Sequence, residues 1–173
     1  FPDHRMLSEE TLSKTPLDGW VWVVDPLDGT TNFFQGIPFF CINIALCFHG
    51  EPLIGLTYDP MRREEFLAVP GRGVRVNGKP AQVTDRSFED ATVIFDSGAA
   101  PVGRMSFDAF HQLGWVALHS RVMGSAALSL AYVAAGRADL FVFGGIAGVW
   151  DIAAGVALVR EGGGVVSDHL GAP

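Results

Sequence analysis

The chain is predicted to fold as a layered α/β structure in which sheets and helices alternate in blocks. Three observations predict it. An apolar, β-branched run from Trp20 to Val24 ends at an acidic turn. Strand-like runs then follow between residues 38 and 76, separated by turn signals. The longer helical patterns come after them, near residues 126 and 152, each closed by glycine.

The elements read in order as follows. Trp20 to Val24 forms a buried strand that presents Asp25 at its C-terminal end. Thr30 to Gln35 forms a short helix closed by Gly36, and Pro38 opens a strand that runs through Phe48. His49-Gly50-Glu51 is a turn, Leu53 to Tyr58 the next strand, and Glu65 to Val69 the one after. Val74-Arg75-Val76 leads into the hairpin signal Asn77-Gly78, so the region is an antiparallel meander. Residues 85 to 119 give no clear pattern. Ser125 caps a helix from Ala126 to Ala135, with Leu128, Leu130, Ala131 and Val133 inward and Gly136 as its stop. A strand, Leu140 to Phe143, passes through a glycine-rich loop to Trp150-Asp151 and a last helix, Ile152 to Arg160.

With 173 residues, 49% of them hydrophobic, the chain can bury one substantial core. Residues 1–173 are therefore expected to form a single region, with approximate halves 1–84 and 85–173. The formal charge is −7, and Lys and Arg never cluster beyond Arg62-Arg63, which excludes nucleic acid as an expected partner. The apolar run from Ile37 to Phe48 is too short and too interrupted to span a bilayer, so no membrane partner is expected and the protein is placed in the cytoplasm. Cys41 and Cys47 should share one strand face about 20 Å apart, beyond the reach of a disulfide, and are read as reduced core thiols. The first residue is Phe1 rather than Met, and the chain is expected to be a stretch of a longer protein.

The strongest chemical signal is Asp25-Pro26-Leu27-Asp28-Gly29-Thr30-Thr31-Asn32. Two carboxylates stand three residues apart on a segment stiffened by proline and opened by glycine. Close anions raise each other's pKa unless a cation lies between them, and magnesium favours such oxygen donors while leaving positions for water and phosphate. The amides of Gly29 and Thr30 could hold the phosphate itself. Taken alone, the motif also fits an Asx-type turn with two surface aspartates, Asp151 fits a helix cap, and Glu9-Glu10 fits a solvated pair. The histidines, His4, His49, His111, His119 and His169, show no ligand spacing. Gly162-Gly163-Gly164 reads as a helix stop, since no strand-G-x-G-x-x-G-helix order surrounds it.

Taken together, S-E-E at 8–10, D-P-L-D-G-T-T-N-F at 25–33, R-V-M-G-S-A-A at 121–127 and W-D-I-A-A-G…E-G-G at 150–163 resemble the inositol monophosphatase branch of the lithium-sensitive, magnesium-dependent phosphatases. The resemblance implies an α-β-α-β-α sandwich with mixed, largely antiparallel sheets, lacking the family's N-terminal helices. It implies two or three magnesium ions, one held by Glu9, Asp25 and the carbonyl of Leu27, another by Asp25, Asp28 and Asp151. A metal-activated water would attack phosphorus, with Glu9 and Thr30 orienting it and Asp28 completing the catalytic set. Leu27, Asp28, Gly29, Thr30, Gly124, Ser125, Ala126 and Asp151 would contact the substrate.

The implied activity is hydrolysis of a small phosphate monoester, inositol monophosphate or a related sugar or polyol phosphate, by a homodimer. Inositol-specific members carry a glutamate shortly before W-D, whereas residues 143 to 148 here hold no acid. Histidinol phosphate, fructose 1,6-bisphosphate and adenosine bisphosphate therefore stay open as substrates. From another class, a non-catalytic metal- or ligand-binding relic also fits, although it gives no reason to retain crowded anions.

Overall fold

The computed structural model describes residues 1–11, 16–96, 117–145, 147–168 and 170–172. His111 and His169 lie outside them, as does most of the patternless stretch from 85 to 119. Seven strands form one sheet in chain order: β1 (Arg5–Ser8), β2 (Trp20–Asp28), β3 (Cys41–Phe48), β4 (Glu51–Asp59), β5 (Glu64–Ala68), β6 (Val74–Val76) and β7 (Lys79–Ala81). β1 runs parallel to β2 and every later pair is antiparallel. The turn between β6 and β7 places Asn77 at φ 49° and Gly78 at φ 77°, the left-handed pair that a tight two-residue hairpin requires. A second, parallel sheet has the order β10-β8-β9, built from β8 (Thr92–Asp96), β9 (His119–Val122) and β10 (Leu140–Phe143).

The short helix α1 (Thr30–Gln35) follows β2, and two longer helices, α2 (Ala126–Ala134) and α3 (Val149–Glu161), pack against each other between the two sheets. The main core joins both halves of the chain. Phe39, just ahead of β3, and Cys41, Phe66 and Val74 from the large sheet meet Leu128, Leu130, Val133 and Leu158 from the helices and Ile94 from the small sheet. Burial of each such aliphatic or aromatic side chain contributes roughly 1.5–3 kcal/mol. A second cluster seats Ala153 and Ala154 of α3 on Val21, Val23, Ala45 and Cys47. Both cysteines are free and buried, as their strand positions predict. Among the described residues no helix is long and apolar enough to cross a membrane.

The structure revises three expectations. Trp20 to Val24 is not buried on both faces: Val21 and Val23 point into the core at 0% and 1% exposure, while Trp20 on the opposite face is 39% exposed. That face alternates because only one side of this antiparallel strand meets α3. The strand also continues past Asp25 to Asp28, and the last helix begins three residues earlier than its apolar pattern suggests, at Val149. Strands β1, β8 and β9 were not read from the sequence.

Candidate active site and metal centre

In a regular strand, residues three apart point to opposite faces. Asp25 and Asp28 nevertheless face the same side, because the β2–β3 ladder slips between them. Pro26 has no N–H to give to the ladder, and the amide of Leu27 turns instead to Asp25 Oδ1 at 2.9 Å. The extra residue accommodated by this bulge rotates Asp28 inward. Asp25 is left 1% exposed and Asp28 8%.

Asp28 is fixed by the start of α2. Its Oδ2 accepts from the Ser125 hydroxyl, from the Ala127 amide at 3.0 Å and, more weakly, from Cys41 Sγ at 3.8 Å. Among the described residues these contacts all fall on Oδ2, so Oδ1 is the oxygen available to the cavity. Asp151 sits in the first turn of α3, where Oδ2 accepts from the Gly148 amide at 2.7 Å. The turn is anchored from the sheet: Asn43 Nδ2 donates to the Trp150 carbonyl at 2.8 Å, while its Oδ1 accepts from Thr57 at 2.8 Å.

Oxygens of Asp25, Asp28 and Asp151 lie within 4.8 Å of one another. They line a cavity of about 410 Å³ together with Glu9, Leu27, Gly29, Thr30, Asp96, Gly124, Ala126 and Phe143. Five carboxylates line it, and among the described residues no Lys, Arg or His does. Burial is the main cause of the perturbed acidities. It raises Asp25 to about 7, opposed by the Leu27 amide and reinforced by the charges of Asp28 and Glu9 and by a hydrogen bond with Glu9. It raises Asp151 to about 6 against the Gly148 amide, and raises Asp28 despite the Ser125 and Ala127 donors. Three desolvated hard-oxygen donors around one point, with no cationic side chain among the described lining residues, can hold a divalent metal such as magnesium.

The expected site residues fall as follows. Asp25, Asp28 and Asp151 form the cluster, and Glu9 and Leu27 border the same cavity. The Thr30 hydroxyl donates to the Leu27 carbonyl at 3.0 Å. Gly29 adopts φ 86° and sits where a Cβ would meet the Phe39 carbonyl at 3.1 Å. Gly124 and Ala126 face the cavity, whereas Ser125 is 1% exposed with its hydroxyl turned to Asp28 and to the Leu128 amide.

Sequence reasoning missed two polar anchors and one wall. Asn32 donates to the carbonyls of Phe39 at 2.7 Å and Met123 at 2.8 Å, tying α1 to the segment that enters α2. Asn43 does the same for α3. Its signal was a lone amide inside an apolar strand, Cys41–Phe48. Asp96 ends a β-branched run, Thr92 to Phe95, just as Asp25 ends its own.

The sequence and fold that carry this site recur in known proteins. A model of the inositol monophosphatase family matches residues 1–173. The chain belongs to that family. The Nus factor SuhB of Pasteurella multocida is 41% identical over 175 residues, covering 99% of this chain and 65% of the relative. Inositol monophosphatase 3 of Solanum lycopersicum is 37% identical over 179 residues, covering 99% and 67%. The inositol monophosphatase structure from Anabaena superposes with a TM-score of 0.93 at 35% identity, covering all of this chain and 70% of that one. The layered fold is thus the family's, and this chain spans just under two thirds of the SuhB relative's length.

Proposed function

We propose that the protein hydrolyses a small phosphate monoester, inositol monophosphate or a related sugar or polyol phosphate, in a magnesium-dependent reaction. The observation that carries the reading is the cavity itself: five carboxylates and, among the described residues, no basic side chain. Such a pocket repels an anion unless cations enter with it, and the family's phosphatase members supply the matching chemistry. Asp25, Asp28 and Asp151, with Glu9 and the Leu27 carbonyl, would hold the ions. When bound, magnesium neutralises the phosphate, polarises the phosphoryl oxygens and acidifies water, so that no covalent enzyme intermediate is required.

The chain's own groups have distinct tasks. Oδ2 of Asp28 is held by α2, which leaves Oδ1 to face the ion or a substrate hydroxyl. The Thr30 proton is committed to the Leu27 carbonyl, so the Thr30 oxygen has lone pairs to accept from the attacking water. Glu9, which borders the same cavity and whose charge reaches Asp25, would help orient that water and take its proton. The Gly29 amide and the cavity-lining Gly124 and Ala126 would border the substrate.

The test is phosphate release by the full-length protein, with and without magnesium, from inositol monophosphate, histidinol phosphate, fructose 1,6-bisphosphate and adenosine bisphosphate. Magnesium-dependent release from inositol monophosphate is expected. No release from any of the four overturns the reading.

A further inference from the structure

The cavity has two chemically different walls. One is formed by β2, α1 and the first turn of α3 and carries the clustered carboxylates. The other is the end of the small sheet and carries Asp96 and Phe143. Asp96 is the last residue of β8 and pairs in register with Phe143, the last residue of β10, so both stand at the C-terminal edge of the parallel sheet. That edge is where open parallel sheets present residues to ligands, because the strands end there and the following loops leave a crevice. The Asp96 backbone is anchored by its carbonyl, which accepts from the Gly144 amide at 2.9 Å.

Asp96 lies outside the group of oxygens within 4.8 Å that could share one ion. It lines the same cavity, and its charge reaches both Asp28 and Asp151. A carboxylate there cannot attract phosphate. With the phosphate end of the ester drawn to the clustered acids and their ions, the rest of the lining, Asp96 and Phe143 included, is left to border the alcohol half. Asp96 is the acid on the second wall among the described lining residues, and the neighbouring loop from Gly144 to Gly148 contains none in its sequence.

We propose that Asp96 is a specificity-determining residue that reads the alcohol half of the substrate by accepting hydrogen bonds from its hydroxyl or ammonium donors. The inference rests on the phosphatase reading above and deepens it. It assigns the protein to donor-bearing alcohols, polyol or amino-alcohol phosphates, over apolar esters. The small-sheet edge thereby takes the part of the substrate that the metal centre does not distinguish.

The experiment compares the full-length wild type with Asp96→Ala and the isosteric Asp96→Asn on three esters: inositol 1-phosphate, histidinol phosphate and phenyl phosphate, which carries no donor. For Asp96→Ala, kcat/KM on the preferred donor-bearing ester should fall about tenfold to a hundredfold, the scale of one charge-assisted hydrogen bond. Phenyl phosphate hydrolysis, compared at saturating magnesium, should fall far less, so that the preference for the donor-bearing ester is what is lost. Asp96→Asn separates the two donor types. Its amide oxygen still accepts from a hydroxyl, so inositol 1-phosphate is partly rescued, whereas an ammonium loses its counter-charge and is not. Equal loss on phenyl phosphate, or unchanged preference in both variants, overturns the inference and leaves the phosphatase reading standing. A wild type that releases no phosphate from any ester overturns the phosphatase reading and this one with it. If Asp96→Ala does not fold, Asp96→Asn on histidinol phosphate carries the test.

Discussion

The Ser125 hydroxyl donates to Asp28 Oδ2 while accepting from the Leu128 amide at 3.3 Å, so one side chain both caps α2 and orients a cavity aspartate. Ser125→Ala removes a helix cap and one donor from a buried carboxylate. The expected loss of stability is about 2–4 kcal/mol, the two effects together. Ser125→Thr keeps the hydroxyl and should recover most of it. Urea unfolding of the three proteins decides the matter, and an alanine variant within about 0.5 kcal/mol of wild type, the scatter of a neutral surface change, would show that the contact contributes nothing.

The metal-free protein should lose stability as pH rises through the acid range. Asp25 moves from 3.8 in the unfolded chain to about 7 when folded, and Asp151 from 3.8 to about 6. Between those values the folded state keeps protons that the unfolded state has released. Stability from these groups is therefore complete below pH 3.8 and is lost progressively up to about pH 7. Thermal melts in chelator should shift downward from pH 4 to 7, and saturating magnesium should remove that decline. A melting temperature that climbs across this range in chelator would contradict the assigned shifts.

Much of this arrangement is written in the sequence, and the exceptions have physical causes. The helix starting after Ser125 and the hairpin at Asn77-Gly78 were legible because capping and left-handed turns depend on local residue chemistry. The proximity of Asp25, Asp28 and Asp151 was legible only through resemblance, since Asp151 comes from a helix distant in the chain. The bulge at Pro26 was not legible. A proline can end a strand or distort it, and only the partner strand β3 decides which. Asp96 was passed over because it falls in the stretch from 85 to 119, which gave no clear pattern to frame a strand.

Asp25→Asn separates folding from metal binding. The amide oxygen of asparagine can still accept from the Leu27 N–H, now held at 2.9 Å, but the charge facing Asp28 and Glu9 is gone. Without divalent ions at pH 8 the variant should be more stable than wild type by on the order of 1–3 kcal/mol, since it no longer ionises a buried carboxyl. Added magnesium should stabilise it far less than wild type, and phosphate release should vanish. Calorimetry in chelator gives the first comparison directly. A variant less stable than wild type under those conditions would mean that the aspartate is held favourably ionised, against the crowding described here.

The last prediction concerns how α3 is seated. Gly55 on β4 pairs across the sheet with Ala45 on β3 and Ala68 on β5, a row of small residues that admits the helix backbone. A Cβ at Gly55 would stand 2.3 Å from the Ala154 carbonyl oxygen and 3.0 Å from its carbon. Neither backbone atom can move without moving the helix. At Gly155 a Cβ would meet Leu130 of the neighbouring helix, Cδ1 at 2.4 Å and Cβ at 2.6 Å, and a change of rotamer does not move the latter. Gly55→Ala should therefore cost about 1–3 kcal/mol or more as an overpacked core. The displacement also reaches the site, because Ala154 lies one turn beyond Asp151. A shift of about 1 Å at a catalytic group can lower turnover on the order of a hundredfold, so kcat should fall in Gly55→Ala even at temperatures where the protein remains folded. Unaltered kcat in a folded but destabilised Gly55→Ala would show that the first turn of α3 is positioned by the Asn43 bond to Trp150 and not by the seating of the helix on the sheet.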